Sequence, residues 1–171
     1  YTVHNAGIAT VTDANGKSQT IMLFRSHIAD GRSVIGKAVS DNGLNNWIVD
    51  SRPFLLPATE NDIYAEGVDI SSVIEAEAGG VEDVRINPVG GGSHILTYSA
   101  YHEHIPDRVV VMLAATRDFK TVVRYGPISQ QDMRNVVIFP EPDTNGNWIA
   151  LLRPNDKVKE RSGFSHIGGS F

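Results

Sequence analysis

Two carboxyls and a guanidinium stand within four residues at Glu82-Asp83-Val84-Arg85, after Gly79-Gly80 and before the strand-like Ile86-Asn87-Pro88. In a regularly alternating strand Asp83 and Arg85 share a face, so the cation would hold the carboxyl in place and tune its hold on a proton. A positioned proton donor suits cleavage of a glycosidic bond. The oxocarbenium-like transition state of that reaction needs one acid at the leaving oxygen and a second group to bring the nucleophile. The same four residues would equally make a solvated ion pair at the end of a strand.

Arginines form a second constellation. Arg25 and Arg153 each close an apolar run, and Arg134 stands in Met133-Arg134-Asn135 just ahead of Val136-Phe139. If the fold gathers these strand ends, the side chains converge on one anion, and the planar fork of arginine matches two phosphate oxygens at once. Local pairing of each arginine with an acid or a carbonyl is the competing arrangement. His102-Glu103-His104 would place two imidazoles on one strand face, but a third zinc ligand is not evident and the segment reads as a hairpin tip. Neither a glycine-rich nucleotide loop nor a Gly-x-Ser-x-Gly elbow occurs. Trp47 and Trp148 have the rings to stack on sugars, though packing between structural units is the preferred role for Trp148.

The elements that must position these groups are strands. Short runs rich in Val, Ile, Leu and aromatics alternate with turn chemistry at Asn15-Gly16, Asp30-Gly31, Asn42-Gly43, Gly90-Gly91-Gly92 and Asn145-Gly146. This pattern predicts an all-β chain with strands over Ile8-Val11, Thr20-Arg25, Ser33-Ser40, Trp47-Asp50, Val84-Pro88, His94-Tyr101, Val109-Thr116, Val136-Phe139 and Trp148-Arg153, and one short helix near Ser71-Ala78. A weak repeat aligns Ile21-Arg25 with Ile95-Ser99 and Ile149-Arg153. Antiparallel strands repeating every several tens of residues point to propeller blades, about two to three of them; a β-sandwich with look-alike hairpins is the alternative.

Bulk properties narrow the partners. The 171 residues carry a formal net charge of -5 with acids and bases interspersed, which disfavours a nucleic-acid binder. Cysteine is absent, so there is neither a disulfide framework nor a thiolate site, and the expected location is cytoplasmic. No apolar run reaches the length of a membrane span. The start at Tyr1-Thr2-Val3 and the stop at Gly168-Gly169-Ser170-Phe171 read as those of a piece of a longer protein.

Across most of its length the chain resembles glycoside hydrolase family 130, the family of β-mannoside phosphorylases and some β-mannosidases. The resemblance is carried by Val3-His4-Asn5-Ala6-Gly7, Leu23-Phe24-Arg25, Ser33-Gly43 with Trp47, Gly80-Ile86, Leu96-Tyr101, Asp118-Phe119, Arg134-Glu141 and Leu152-Arg153-Pro154. It implies a five-bladed β-propeller, of which this chain supplies about two to three blades as a single partial domain, and it makes Asp83 the catalytic acid. In the phosphorylases that acid passes its proton through the sugar 3-hydroxyl to the glycosidic oxygen, while inorganic phosphate attacks the anomeric carbon from the opposite face. No cofactor is implied beyond phosphate as co-substrate, and no metal.

By the same resemblance Arg134 and Arg153 bind phosphate, and Asn5 and Arg25 line the sugar site, together with Arg85 and Tyr98. The implied reaction is phosphorolysis of a β-mannoside to α-mannose 1-phosphate with inversion. The alternatives are a β-mannosidase using water and a non-catalytic sugar-binding propeller piece. Expected partners are an oligosaccharide and phosphate, with neither nucleic acid nor membrane, and a second copy or a complementing propeller half. Two positions depart from the family pattern: Val84 replaces a proline and Leu152 a histidine, and the segment from Asn155 to Phe171 follows the pattern poorly.

Overall fold

The computed structural model describes residues 2–12, 15–105, 108–129, 133–154 and 165–167. Among the described residues twelve strands and one helix follow in the order β1 (His4–Thr12), β2 (Ser18–His27), β3 (Ser33–Ser40), β4 (Ile48–Val49), β5 (Ile63–Tyr64), α1 (Ile70–Glu77), β6 (Gly80–Pro88), β7 (His94–Tyr101), β8 (Val109–Thr116), β9 (Val123–Pro127), β10 (Met133–Ile138), β11 (Trp148–Pro154) and β12 (Ser165–Ile167). The all-β expectation holds, and each predicted strand has its counterpart. β6 begins earlier than expected, at Gly80, because that glycine bridges to another strand. The stretch at Trp47-Asp50 contributes only Ile48–Val49, whose side chains stay exposed.

The strands form three successive antiparallel units. β1-β2-β3 carry β4 on their outer edge, β6-β7-β8-β9 carry β5 on theirs, and β10-β11-β12 make the third. The first two units join through one parallel pairing, Ser33 with Gly80. That contact requires glycine: φ is 128°, and a Cβ there would lie 2.8 Å from the Ser33 amide nitrogen. Gly7 likewise lets β1 lie against β6, since a Cβ would come within 3.0 Å of the Val84 carbonyl oxygen.

α1 forms near its expected place. Asp69 caps it by accepting the Ser72 amide, and Gly79-Gly80 follow its end. Val73 and Glu77 are the residues it buries. The main core gathers Leu23, Ile35, Val73, Val84, Leu96 and Met112 from the first two units. A second cluster of Ile95, Val111, Leu113, Val136, Ile138 and Ala150 ties the second unit to the third, with Trp148 packed against it. Among the described residues no helix is long and apolar enough to cross a membrane.

Candidate active site

The same irregularity recurs in the first strand of each unit. His4 pairs with Arg25 and Gly7 with Leu23; Glu82 pairs with Ser99 and Arg85 with Thr97; Arg134 pairs with Arg153 and Val137 with Leu151. Each time three steps along one strand face two along its partner, a β-bulge. The residue that opens each bulge has a left-handed backbone: Asn5 at φ 44°, Asp83 at 53° and Asn135 at 56°. Asn and Asp tolerate this conformation better than other side chains with a Cβ. The repeat read at Arg25, Ser99 and Arg153 therefore marks the partners of these bulges.

The three bulged side chains meet. Asn5 Nδ2 donates to Asp83 Oδ1 at 2.7 Å, and Asn135 Nδ2 donates to Oδ2 at 3.3 Å. Asp83 is 8% exposed, so its carboxyl sits between two neutral amide donors at the edge of solvent. Arg25 supplies the nearest cation: its NH1 group is 3.9 Å from Asp83 Oδ1 and its NH2 group 2.9 Å from Glu82 Oε1. Ser33 Oγ also donates to Glu82 Oε1, at 2.6 Å. Glu82 thus clamps Arg25 and Ser33 through its Oε1.

Arg85 departs from expectation. The bulge breaks the alternation that would have put it beside the Asp83 carboxyl, and its guanidinium instead donates to the main-chain carbonyls of Asp83 at 3.4 Å and Val84 at 3.1 Å. It braces the bulge from the backbone side. Tyr98 is corrected more strongly. It faces the core at 2% exposure, donates to Glu77 Oε1 at 2.7 Å and accepts from Arg124 at 3.3 Å. Burial pushes its hydroxyl well above the usual tyrosine range. A hydroxyl so enclosed cannot reach a sugar.

The tyrosine at the site is Tyr101, on the opposite face of β7. Its half-buried hydroxyl is raised by burial and by the charges of Glu82 and Asp83, while Arg134 and Arg25 oppose the rise. The Arg134 guanidinium lies over the Tyr101 ring, 5.4 Å from its centroid. Arg134 and Arg153 are direct cross-strand partners, which puts their side chains on one face of the sheet. Among the described residues neither has an acidic partner, and the buried Arg134 Nε has no hydrogen bond. Two arginines at paired positions on one sheet face have the chemistry to bind an anion.

Of the expected residues, Asn5, Arg25, Asp83 and Arg134 come together, with Arg153 beside Arg134. Tyr101, Asn135 and Ser33 were not singled out. Asn135 was accessible in principle, since an Asn or Asp followed by a small or apolar residue stands at the same place in all three units, at Asn5-Ala6, Asp83-Val84 and Asn135-Val136. At the hairpin tip, His102 Nε2 lies 2.9 Å from Glu75, and its Nδ1 accepts the amides of His104 and Ile105. Both ring nitrogens are occupied, which leaves this pair of histidines no metal site.

No family model matches the chain. A β-1,2-mannobiose phosphorylase of Listeria innocua is 31% identical over 125 residues, which are 73% of this chain and 29% of that protein. The solved structure of β-1,2-mannobiose phosphorylase from Listeria innocua with β-1,2-mannobiose superposes at a TM-score of 0.69 and 20% identity, over 98% of this chain and 59% of the other. A structure from the GH130 family of mannoside phosphorylases, described with glycoside hydrolases that target β-1,2 mannosidic linkages in Candida mannan, gives 0.62 at 16%, over 98% and 49%. At such identities the structural likeness is one of fold. The chain spans about a third to just over half the length of these relatives.

Proposed function

The chain belongs to glycoside hydrolase family 130, and we propose that it carries the acid and the phosphate site of an inverting β-mannoside phosphorylase releasing α-mannose 1-phosphate. Its three antiparallel units are then blades of a five-bladed propeller, with the bulged strands β1, β6 and β10 innermost and Asn5, Asp83 and Asn135 facing the axis. Asp83 gives its proton, by way of the sugar 3-hydroxyl, to the glycosidic oxygen as the bond to the anomeric carbon breaks. Phosphate forms the new bond from the opposite face, which inverts that carbon. Asn5 and Arg25 line the sugar side.

One observation carries the choice of phosphate over water: Arg134 and Arg153 stand abreast with no acid opposite either among the described residues. Phosphate brings its own nucleophilic oxygen, so no protein base is required. Glu82, the carboxylate nearest the acid in the chain, is held through Oε1 by Ser33 and Arg25, which fits a clamp on the arginine better than a base for water.

The test is turnover of β-1,2-mannobiose, and of mannosyl-glucose, by the full chain with and without phosphate, following mannose 1-phosphate and free mannose. Phosphorolysis predicts the sugar phosphate, and no product when phosphate is left out. Arg134→Ala or Arg153→Ala should raise the KM for phosphate about 10- to 100-fold, the loss expected for one charge-assisted pair. Free mannose formed equally well without phosphate would replace this reading with hydrolysis.

A further inference from the structure

Tyr98 and Tyr101 lie three positions apart on β7, so the pleat turns them to opposite faces, and only Tyr101 looks toward Asp83. Its ring supports the Arg134 guanidinium. Its hydroxyl makes no hydrogen bond among the described residues, although Glu82, Asp83, Arg25 and Arg134 are all close enough to perturb it. Arg134 and the Tyr101 hydroxyl are therefore donors at one place without a hydrogen-bonded acceptor among the described residues, and Arg153 is the cross-strand neighbour of Arg134. Of these the Arg134 Nε is buried and unbonded; buried polar groups are ordinarily satisfied, and an unmatched donor with a free hydroxyl and a second arginine beside it calls for an oxyanion.

We propose that Tyr101 is a further anion-binding residue of this site, its ring holding the Arg134 guanidinium flat while its hydroxyl donates to the same oxyanion that Arg134 and Arg153 take. Because burial strengthens its hold on the proton, the phenol remains an O–H donor at neutral pH. It adds a hydrogen bond to a phosphate oxygen without adding a third positive charge to the arginine pair. The ring face fixes the plane of the guanidinium, and that plane sets which of its N–H groups face the anion.

This rests on the phosphate reading above, and the experiment separates the two. Binding of inorganic phosphate and of β-1,2-mannobiose to the full chain is measured by titration calorimetry for the wild type, Tyr101→Phe and Tyr101→Leu, with KM and kcat for phosphate alongside. Tyr101→Phe keeps the ring and loses the hydroxyl; it should weaken phosphate about tenfold, raise KM rather than kcat, and leave mannobiose affinity unchanged. Tyr101→Leu loses both and should weaken phosphate about 100-fold. Phosphate binding at wild-type strength in Tyr101→Phe would overturn the inference, as would weakening of the sugar in place of the anion. If Tyr101→Leu does not fold, the phenylalanine variant decides alone. A wild type that binds mannobiose and no phosphate would instead overturn the phosphorylase reading, and Tyr101 with it.

Discussion

Asp83 combines a left-handed backbone at φ 53° with a carboxyl held between the amides of Asn5 and Asn135. Asparagine fits the same space and tolerates the same φ, so Asp83→Asn removes the proton and little else. Mannoside turnover should fall about 10²- to 10⁴-fold or further, with sugar binding retained; initial rates set beside calorimetric affinity decide it. Undiminished turnover would put the acid elsewhere. Arg25 and Arg153 stood out in the chain because they close apolar runs at matching places in a repeat, Arg134 because it stands just ahead of an apolar strand, and Asp83 because it lies in a dense polar cluster. Arg85 was misread because the argument assumed a regular pleat, and the bulge at Asp83 inserts one residue between them. Tyr98 was misread because sequence alone does not say which face of β7 meets the core.

The bulge is the unit from which the site is built, and glycine lets the bulged strands approach. Gly80→Ala would force a Cβ to within 2.8 Å of the Ser33 amide at a φ of 128°, and so would open the bridge that brings Ser33 to Glu82. We expect a loss of about 1–3 kcal/mol, read as a lower urea midpoint with an unchanged m-value. His94, at the start of β7, is buried against Phe119 with ring centroids 4.8 Å apart, and burial lowers its affinity for a proton. The folded chain therefore binds this proton more weakly than the unfolded one. The stability that follows is complete above the ordinary histidine value of 6.5 and is lost as the pH falls below it. Urea midpoints measured from pH 8 to 5 should decline on the acid side, and His94→Phe should flatten that decline.

The fold is held together by contacts within each unit and between them. Glu77 from α1 is fully buried and bonded to Arg124 of β9, to Tyr98 of β7 and to the Ala58 amide. Removing Glu77 leaves the buried Arg124 with the more distant and more exposed Asp62, at 3.5 Å, so Glu77→Ala should cost about 3 kcal/mol in equilibrium unfolding. Tyr98→Phe should lower stability and leave the KM for sugar where it is, as its place in the core requires. The apolar cluster of β7, β8, β10 and β11 couples the second unit to the third, and this sets the distance across which Asn135 reaches Asp83.

Strand content, the turn positions and the presence of a short helix were contained in the order of residue types. Hydrophobic alternation and Asn-Gly turns are local properties, and local rules read them correctly. Bulge register, the face each β7 tyrosine presents and the convergence of Asn5, Asp83 and Asn135 arose only once the units packed. Each depends on where one strand comes to lie against another tens of residues away. A single added residue in a bulge reverses every side chain beyond it, and no rule of composition or spacing sees that before the strands meet.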